Sequence, residues 1–330
     1  MLERQDMRYL LLFLCLLVPA LACAPFYPPE FDGEVATETA LIVWDKTEGV
    51  EHFIRTADFD TRATEVGFVV PTPSRPALSA INNQLFEQLY EASKPRTVYR
   101  YERDWEPGSF LAMAGCGVLS GGAPRQAKSV ELLDRGKIAG QEYAVLKAGD
   151  VDALAEWLKT NGFPFPESNK SWAQEYIDKG YYLTAFRFLS KDGSGFITEA
   201  VQMTFKTEKP FYPYHEPESV KPRPGRALRV YLLADQAMMG ATAEGPWSAK
   251  LTFSAEIAPL QEFPQRRLTS FLDKAEVRTG LSDLFFTPNP NQAEVHPPDK
   301  VVTRRRKTVL PVDLMLVLLA LPLFFWRRKS

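Results

Sequence analysis

Cysteine and histidine are scarce: the chain has three of each in 330 residues. A structural zinc site draws on several such ligands at fixed spacing, and no such spacing occurs. Charge of one sign is also lacking, since 39 Lys and Arg face 41 Asp and Glu. No basic field for nucleic acid follows from that balance. Phosphate loops are missing too, because Gly121-Gly122 is not followed by Lys-Ser or Lys-Thr at the required spacing. No 20–50-residue repeat occurs, which excludes a solenoid or propeller. Long apolar runs are confined to the two ends.

The first end reads as a secretory signal over residues 1–22. Arg4 and Arg8 precede the short apolar run from Tyr9 to Val18, Pro19 breaks it, and Ala20-Leu21-Ala22 is a small-x-small cleavage site. About ten apolar residues suit a signal better than a span, which needs about 20. The other end, 309–326, reads as one transmembrane helix, with a basic cytoplasmic tail at 327–330. Arg304–Lys307 on the outer side runs against a simple charge rule, but prior export places the body outside. A second reading makes the tail a sorting signal that is clipped at Leu310-Pro311-Val312-Asp313. Without the two ends and the basic run, 30 Lys and Arg face 38 Asp and Glu. The expected place is thus a cell membrane, single-pass, with an acidic ectodomain outside the cytoplasm.

Cys15 leaves with the signal, so Cys23 and Cys116 remain as a candidate disulfide in an oxidising compartment. It would close a loop of about 90 residues and stabilise by up to about 4–5 kcal/mol in the chain-entropy model. Lipidation of Cys23 is the alternative and would leave Cys116 single. Cys116 between two glycines could instead be a nucleophile, but an exported free thiol oxidises.

Between the ends, 23–286 reads as an α+β region, mostly antiparallel sheet with a few short helices on one side, and a possible division near 125–140. Thr39–Trp44 and His52–Thr56 predict a hairpin across a charged turn, and Glu65–Val70 a third strand. Leu78, Ile81, Leu85, Phe86 and Leu89 fall on one helical face. Asp150 caps a helix that Asn161-Gly162 ends, and a second helix over 171–179 stops at Gly180. The stretches 181–190 and 197–206 predict another hairpin. Five prolines between Pro210 and Pro224 predict an extended surface segment. Arg267–Asp273 is ambiguous between strand and helix. The Pro- and charge-rich stretch 287–308 predicts a stalk.

Chemistry is thinly signalled. His52 beside Glu51, with Asp45 nearby, could form a general base; a surface-strand histidine is the plainer reading. His215, amid Tyr212, Tyr214, Glu216 and Glu218, could ligate a metal, though such pockets draw on several ligands. His296 reads as solvated. Val69-Val70-Pro71-Thr72-Pro73-Ser74-Arg75-Pro76 is the most distinctive string. It reads as a strand-to-helix connection, or as an interaction rim displaying Thr72, Ser74 and Arg75.

The ordered motifs Ile42-Val43-Trp44-Asp45, His52-Phe53-Ile54-Arg55, Gly67–Pro73, Ala148-Gly149-Asp150, Trp157-Leu158 and Tyr182–Phe188 carry a resemblance. The chain resembles the bacterial exported-protein family catalogued as domain of unknown function 2330 over most of the ectodomain. The resemblance implies export and, often, a C-terminal span. It implies no activity, no cofactor and no catalytic residue. The expected function is a non-enzymatic binding or interaction module of the cell envelope, partnered by the membrane and by an exported protein or envelope polymer. The alternatives are an envelope hydrolase built around His52 and an assembly or maturation factor for envelope complexes.

Overall fold

The computed structural model describes residues 25–26, 33–61, 65–107, 135–163, 165–189, 196–218, 220, 222, 224–260, 263–278 and 281–310. The signal, Cys23, Cys116 and residues 311–330 lie outside them.

Along the chain come β1 (Pro25–Phe26), β2 (Gly33–Asp45), β3 (Val50–Thr61), β4 (Glu65–Thr72), β5 (Ala77–Ala80), α1 (Gln84–Ser93) and β6 (Thr97–Pro107). Then follow β7 (Arg135–Ile138), β8 (Gln141–Leu146), α2 (Val151–Thr160), α3 (Lys170–Asp178), β9 (Tyr182–Leu189), β10 (Phe196–Ile197), β11 (Val201–Lys206) and β12 (Phe211–Tyr212). Last come β13 (Ala227–Ala234), β14 (Met238–Thr242), β15 (Gly245–Pro246), β16 (Lys250–Glu256), β17 (Arg267–Asp273), β18 (Leu284–Pro288) and β19 (Lys300–Leu310). The protein is therefore mostly β, with three short α-helices among the described residues.

The largest sheet runs β16-β17-β13-β2-β3-β11-β5, with β10 also on β3. It is antiparallel except where β13 lies parallel to β2. A five-stranded sheet runs β1-β4-β9-β8-β7, and a four-stranded one β12-β18-β14-β15. Strand periodicity explains the continuous apolar runs. In β2, Ala40, Ile42 and Trp44 face one core while Leu41 and Val43 face another. A strand buried on both faces needs no polar alternation. The first core joins these residues to Phe68 and Val70 of β4 and Phe186 and Phe188 of β9, so it lies between sheets.

The helices cover the outer faces of different sheets, which corrects the expectation of helices on one side. Leu85 and Leu89 of α1 pack with Leu41, Val43, Tyr231 and Leu233 of the large sheet. Leu154 and Leu158 of α2, with Trp172, Tyr176 and Ile177 of α3, pack on Val69, Leu183 and Ala185 of the five-stranded sheet.

Local signals act as their chemistry requires. Asp45 Oδ1 accepts from Thr47 N (2.9 Å) and Glu48 N (3.0 Å), shaping the β2–β3 turn. Asp150 accepts from Ala153 N (2.8 Å) at the start of α2. Gly162 and Gly180 hold the positive φ values, 76° and 72°, that end α2 and α3.

Four expectations change. Helix α1 starts at Gln84, while Leu78 lies in β5, paired to Met203 of β11. Strands β9 and β11 form no hairpin, because β9 lies between β4 and β8, and β11 between β3 and β5. The proline-rich segment is core: Phe211, Tyr212 and Tyr214 are at most 1% exposed. Prolines exclude a central strand, not burial, and here Phe286 N donates to the Pro210 carbonyl (2.9 Å). Residues 287–295 do not form a free stalk. Thr287 and Pro288 belong to β18, Asn289 N donates to Ala237 O (2.8 Å), and Val295 and Ser254 exchange backbone hydrogen bonds of 2.8 Å. Arg267–Asp273 is a strand.

All these elements except β6 and β19 belong to one unit, drawn from the stretches Met1–Lys94 and Glu131–His296; a second is drawn from Pro95–Val130 and Pro297–Ser330. In the second unit β6 and β19 pair parallel. Lys300 N donates to Arg96 O (2.8 Å), and the Arg304 guanidinium sits 4.2 Å from the Tyr99 ring centre. Val309 and Leu310, the first residues of the expected span, end β19. No helix among the described residues is long and apolar enough to cross a membrane.

Candidate functional site

The predicted chemistry around His52 does not assemble. Glu51 and His52 are neighbours on β3, so their side chains leave opposite faces of the sheet. Glu51 is fully buried, its Oε2 accepts from Phe211 N (2.7 Å), and burial pushes its carboxyl well above the usual range. Asp45 is engaged in its turn. His52 Nδ1 instead meets its cross-strand partner Thr204 at Oγ1 (2.9 Å), and its ring leans on Phe263. Burial lowers the His52 pKa, opposed by the charge of Asp45.

His215 is likewise engaged. Its Nδ1 donates to Leu281 O (2.7 Å), and Nε2 lies 3.3 Å from the Glu175 carboxylate. Its neighbour Glu216 joins a buried ionic network. Arg226 donates to Glu216 (2.8 Å), and Arg278 meets Asp273 (3.0 Å) and Glu216 (3.5 Å). Tyr214 donates to Asp273 (2.9 Å). Burial pushes Glu216 up to about 6 against the pull of both arginines. Among the described residues no three His, Cys, Asp or Glu side chains form a metal-ligating group.

The rim string is only partly displayed. Thr72 is buried and donates to Ser74 O (2.9 Å), which corrects its placement on a rim. Arg75 is exposed. Ser74 is half-buried and donates to Lys206 O (2.7 Å), so the string is tied to the end of β11.

That tie leads to a cleft of about 830 Å³ whose wall includes Pro73. Lys179, Lys206 and Lys209 stand around it, with Tyr181 and Phe285 as aromatic surface. Each comes from a different device. Gly180 turns the chain at the end of α3, placing Lys179 and Tyr181 on either side of the turn. Lys206 ends β11, and Thr207 Oγ1 donates to Lys209 O (2.9 Å) to set the next turn. Phe285 stands 37% exposed on β18, an uncommon placement for a phenylalanine. Lys179 lies 5.1 Å from the Tyr176 ring centre.

The cleft also holds Asp283, almost wholly buried, whose Oδ1 accepts from Tyr176 OH (2.7 Å) and His215 N (3.1 Å). Burial pushes the Asp283 carboxyl up. Burial, and then the charge of Asp283, push the Tyr181 phenol up to about 12. Beside Asp283, Ser282 is held by Glu244, which accepts from its N (3.0 Å) and Oγ (3.1 Å). Among the described residues none of the three cleft lysines has an ion-pair partner. One unpaired surface lysine is ordinary; three around one concave aromatic wall, with Glu208 and Asp283 as the acids of the same lining, concentrate positive charge there.

A second cleft, of about 620 Å³, lies beside α2. Most of its charges pair, Lys170 with Asp152 (2.9 Å) and Glu167 (2.7 Å), Arg187 with Glu65 (2.5 Å) and Glu142 (3.4 Å), while Lys159 and Glu156 make no ion pair among the described residues. Sequence reasoning missed the lysine cleft because Lys179, Lys206 and Lys209 carry no local signal; only Pro73, inside the distinctive string, pointed toward it.

Comparison with curated proteins gives no match. Among solved structures, a mutated baculovirus P35 after caspase cleavage aligns over 79% of this chain and 99% of that one. The identity is 9% and the TM-score 0.33, too low to carry an argument. The sequence itself is decisive over residues 19–273, which match the family described as uncharacterized protein conserved in bacteria (DUF2330). Those residues include Lys179, Tyr181, Lys206 and Lys209 of the cleft, and the chain belongs to that family.

Proposed function

We propose that this protein is a membrane-tethered binding module of the bacterial cell envelope, without catalysis of its own. The signal at 1–22 exports the body, the apolar stretch from about Pro311 to Trp326 holds it, and the lysine cleft receives an anionic envelope ligand. The carrying observation is the contrast within one body between three cleft lysines that have no ion-pair partner among the described residues and the mutually paired charges of the Arg278 network. Idle cations in a cleft attract an anion without first breaking an internal pair.

Lysine acetylation footprinting on the full chain in its membrane tests this. With an envelope extract added, Lys179, Lys206 and Lys209 are expected to be protected while the exposed Lys250 and Lys274, which line neither cavity, are not. Uniform labelling, with and without extract, would refute the binding reading.

A hydrolase around His52 has one observation in its favour. Thr204 Oγ1 lies 2.9 Å from His52 Nδ1, and Gln202 Nε2 donates to the same hydroxyl (3.0 Å) and lies 3.3 Å from the ring nitrogen. A hydroxyl hydrogen-bonded to an imidazole is the pairing that a nucleophile and its general base require. His52 lines none of the clefts described above, however, and a cross-strand pair gains stability from the same bond.

A further inference from the structure

The lysine cleft has a neighbour. An apolar pocket of about 180 Å³ is lined by Trp44, Pro210, Met238, Phe286 and Pro288. The two cavities share Glu208, Lys209 and Thr287 as lining residues; Phe285 and Phe286 follow one another on β18 and face opposite sides of its sheet, so the two cavities meet only at the Lys209–Thr287 edge. The larger lobe carries Lys179, Lys206 and the exposed Phe285 ring; the smaller has mostly apolar walls, with Lys46, Asp235 and Gln236 also lining it and Lys209 common to both.

Resting on the binding reading above, we propose that the ligand is an amphiphilic anion. Its charged head lies among Lys179, Lys206 and Lys209, its apolar body runs along Tyr181 and Phe285, and its end enters the Trp44–Met238–Phe286 pocket. A neutral apolar molecule would shield three lysines from water without compensating their charge, which is costly. A bare anion would leave the aromatic wall and the small apolar pocket unused. An anion carrying an apolar chain satisfies both halves. Each methylene removed from water contributes about a fourfold gain in affinity.

The experiment uses the full chain in phosphatidylcholine nanodiscs, with empty discs as background. Saturation-transfer NMR is recorded with octyl phosphate, octanol and inorganic phosphate. Octyl phosphate is expected to bind at least about tenfold more tightly than either of the others. Lys206→Glu with Lys209→Glu is expected to abolish binding of both phosphates. Met238→Trp, which fills the small pocket, is expected to bring octyl phosphate down to the level of inorganic phosphate. Should Met238→Trp fail to fold, Phe285→Ser, at an exposed position, is expected to give at least a severalfold loss for octyl phosphate alone.

Equal binding of octyl and inorganic phosphate would overturn the amphiphile and leave an anion-binding module standing. Binding of octanol as tight as octyl phosphate would overturn the role of the lysines. Lysine protection by envelope extract without octyl phosphate binding would likewise reject the amphiphile alone; absence of both would reject the binding reading with it.

Discussion

Around Arg278 and around Lys206 the same body handles charge in opposite ways. Arg278 is 1% exposed, and its guanidinium lies between Asp273 and Glu216 with the Tyr214 ring beneath it. Lys206, Lys179 and Lys209 stand at an open cleft with no ion-pair partner among the described residues. The buried network ties the proline-rich segment, through Glu216, to β17 and the chain beyond it, through Asp273 and Arg278. Its charges are there to be matched by each other, and removing one leaves its partners stranded. The lysines make no ion pair among the described residues, although Lys179 lies over the Tyr176 ring and its charge acts on Asp283. Charge not matched in an ion pair is the charge available to a ligand.

The comparison breaks first at the network. Arg278→Met should cost about 3–5 kcal/mol, because it leaves Asp273 and Glu216 buried with fewer partners. Denaturant unfolding of the wild type and the variant measures this directly.

Glu51 sharpens it next, as a buried carboxyl that no cation among the described residues meets in the way Arg278 meets Glu216. Its folded pKa lies above the ordinary 4.5, so the folded protein holds a proton that the unfolded chain releases. Stability from this group is present below about 4.5 and is lost as pH rises toward the folded pKa. Glu51→Gln should remove that loss. The variant should therefore gain on the wild type between pH 4.5 and pH 8, and denaturation midpoints that stay parallel would contradict the assignment. The smallest effect is expected at the cleft, where Lys206→Ser and Lys209→Ser should each change stability by less than about 0.5 kcal/mol.

What could be read from sequence follows the same division between local and distant causes. The β2–β3 hairpin was legible because Asp45 and the alternating runs lie within one short stretch. Helices α2 and α3 were legible from Asp150, Gly162 and Gly180, each acting on its own turn. The separation of β9 from β11 was not, since adjacent strands in sequence usually pair and here each finds partners elsewhere in the chain. Burial of Phe211, Tyr212 and Tyr214 was hidden by the prolines around them, which speak about backbone hydrogen bonding and not about exposure. The binding of 287–295 to the body was hidden for a related reason: its partners, Ala237, Ser254 and Arg267, lie on three other strands or turns. The cleft is the extreme case. Lys179, Lys206, Lys209 and Phe285 come from four separate places in the chain, and only the folded sheets bring them to one wall.

The most direct test pairs the two regions in one measurement. Thermal unfolding and octyl phosphate binding would be recorded side by side for Arg278→Met and for the triple variant Lys179→Ser, Lys206→Ser, Lys209→Ser. The account predicts that the arginine variant unfolds at a clearly lower temperature, while the lysine variant keeps the wild-type melting temperature and loses the ligand. A lysine variant that melts as early as the arginine variant, or that binds octyl phosphate as the wild type does, would contradict it.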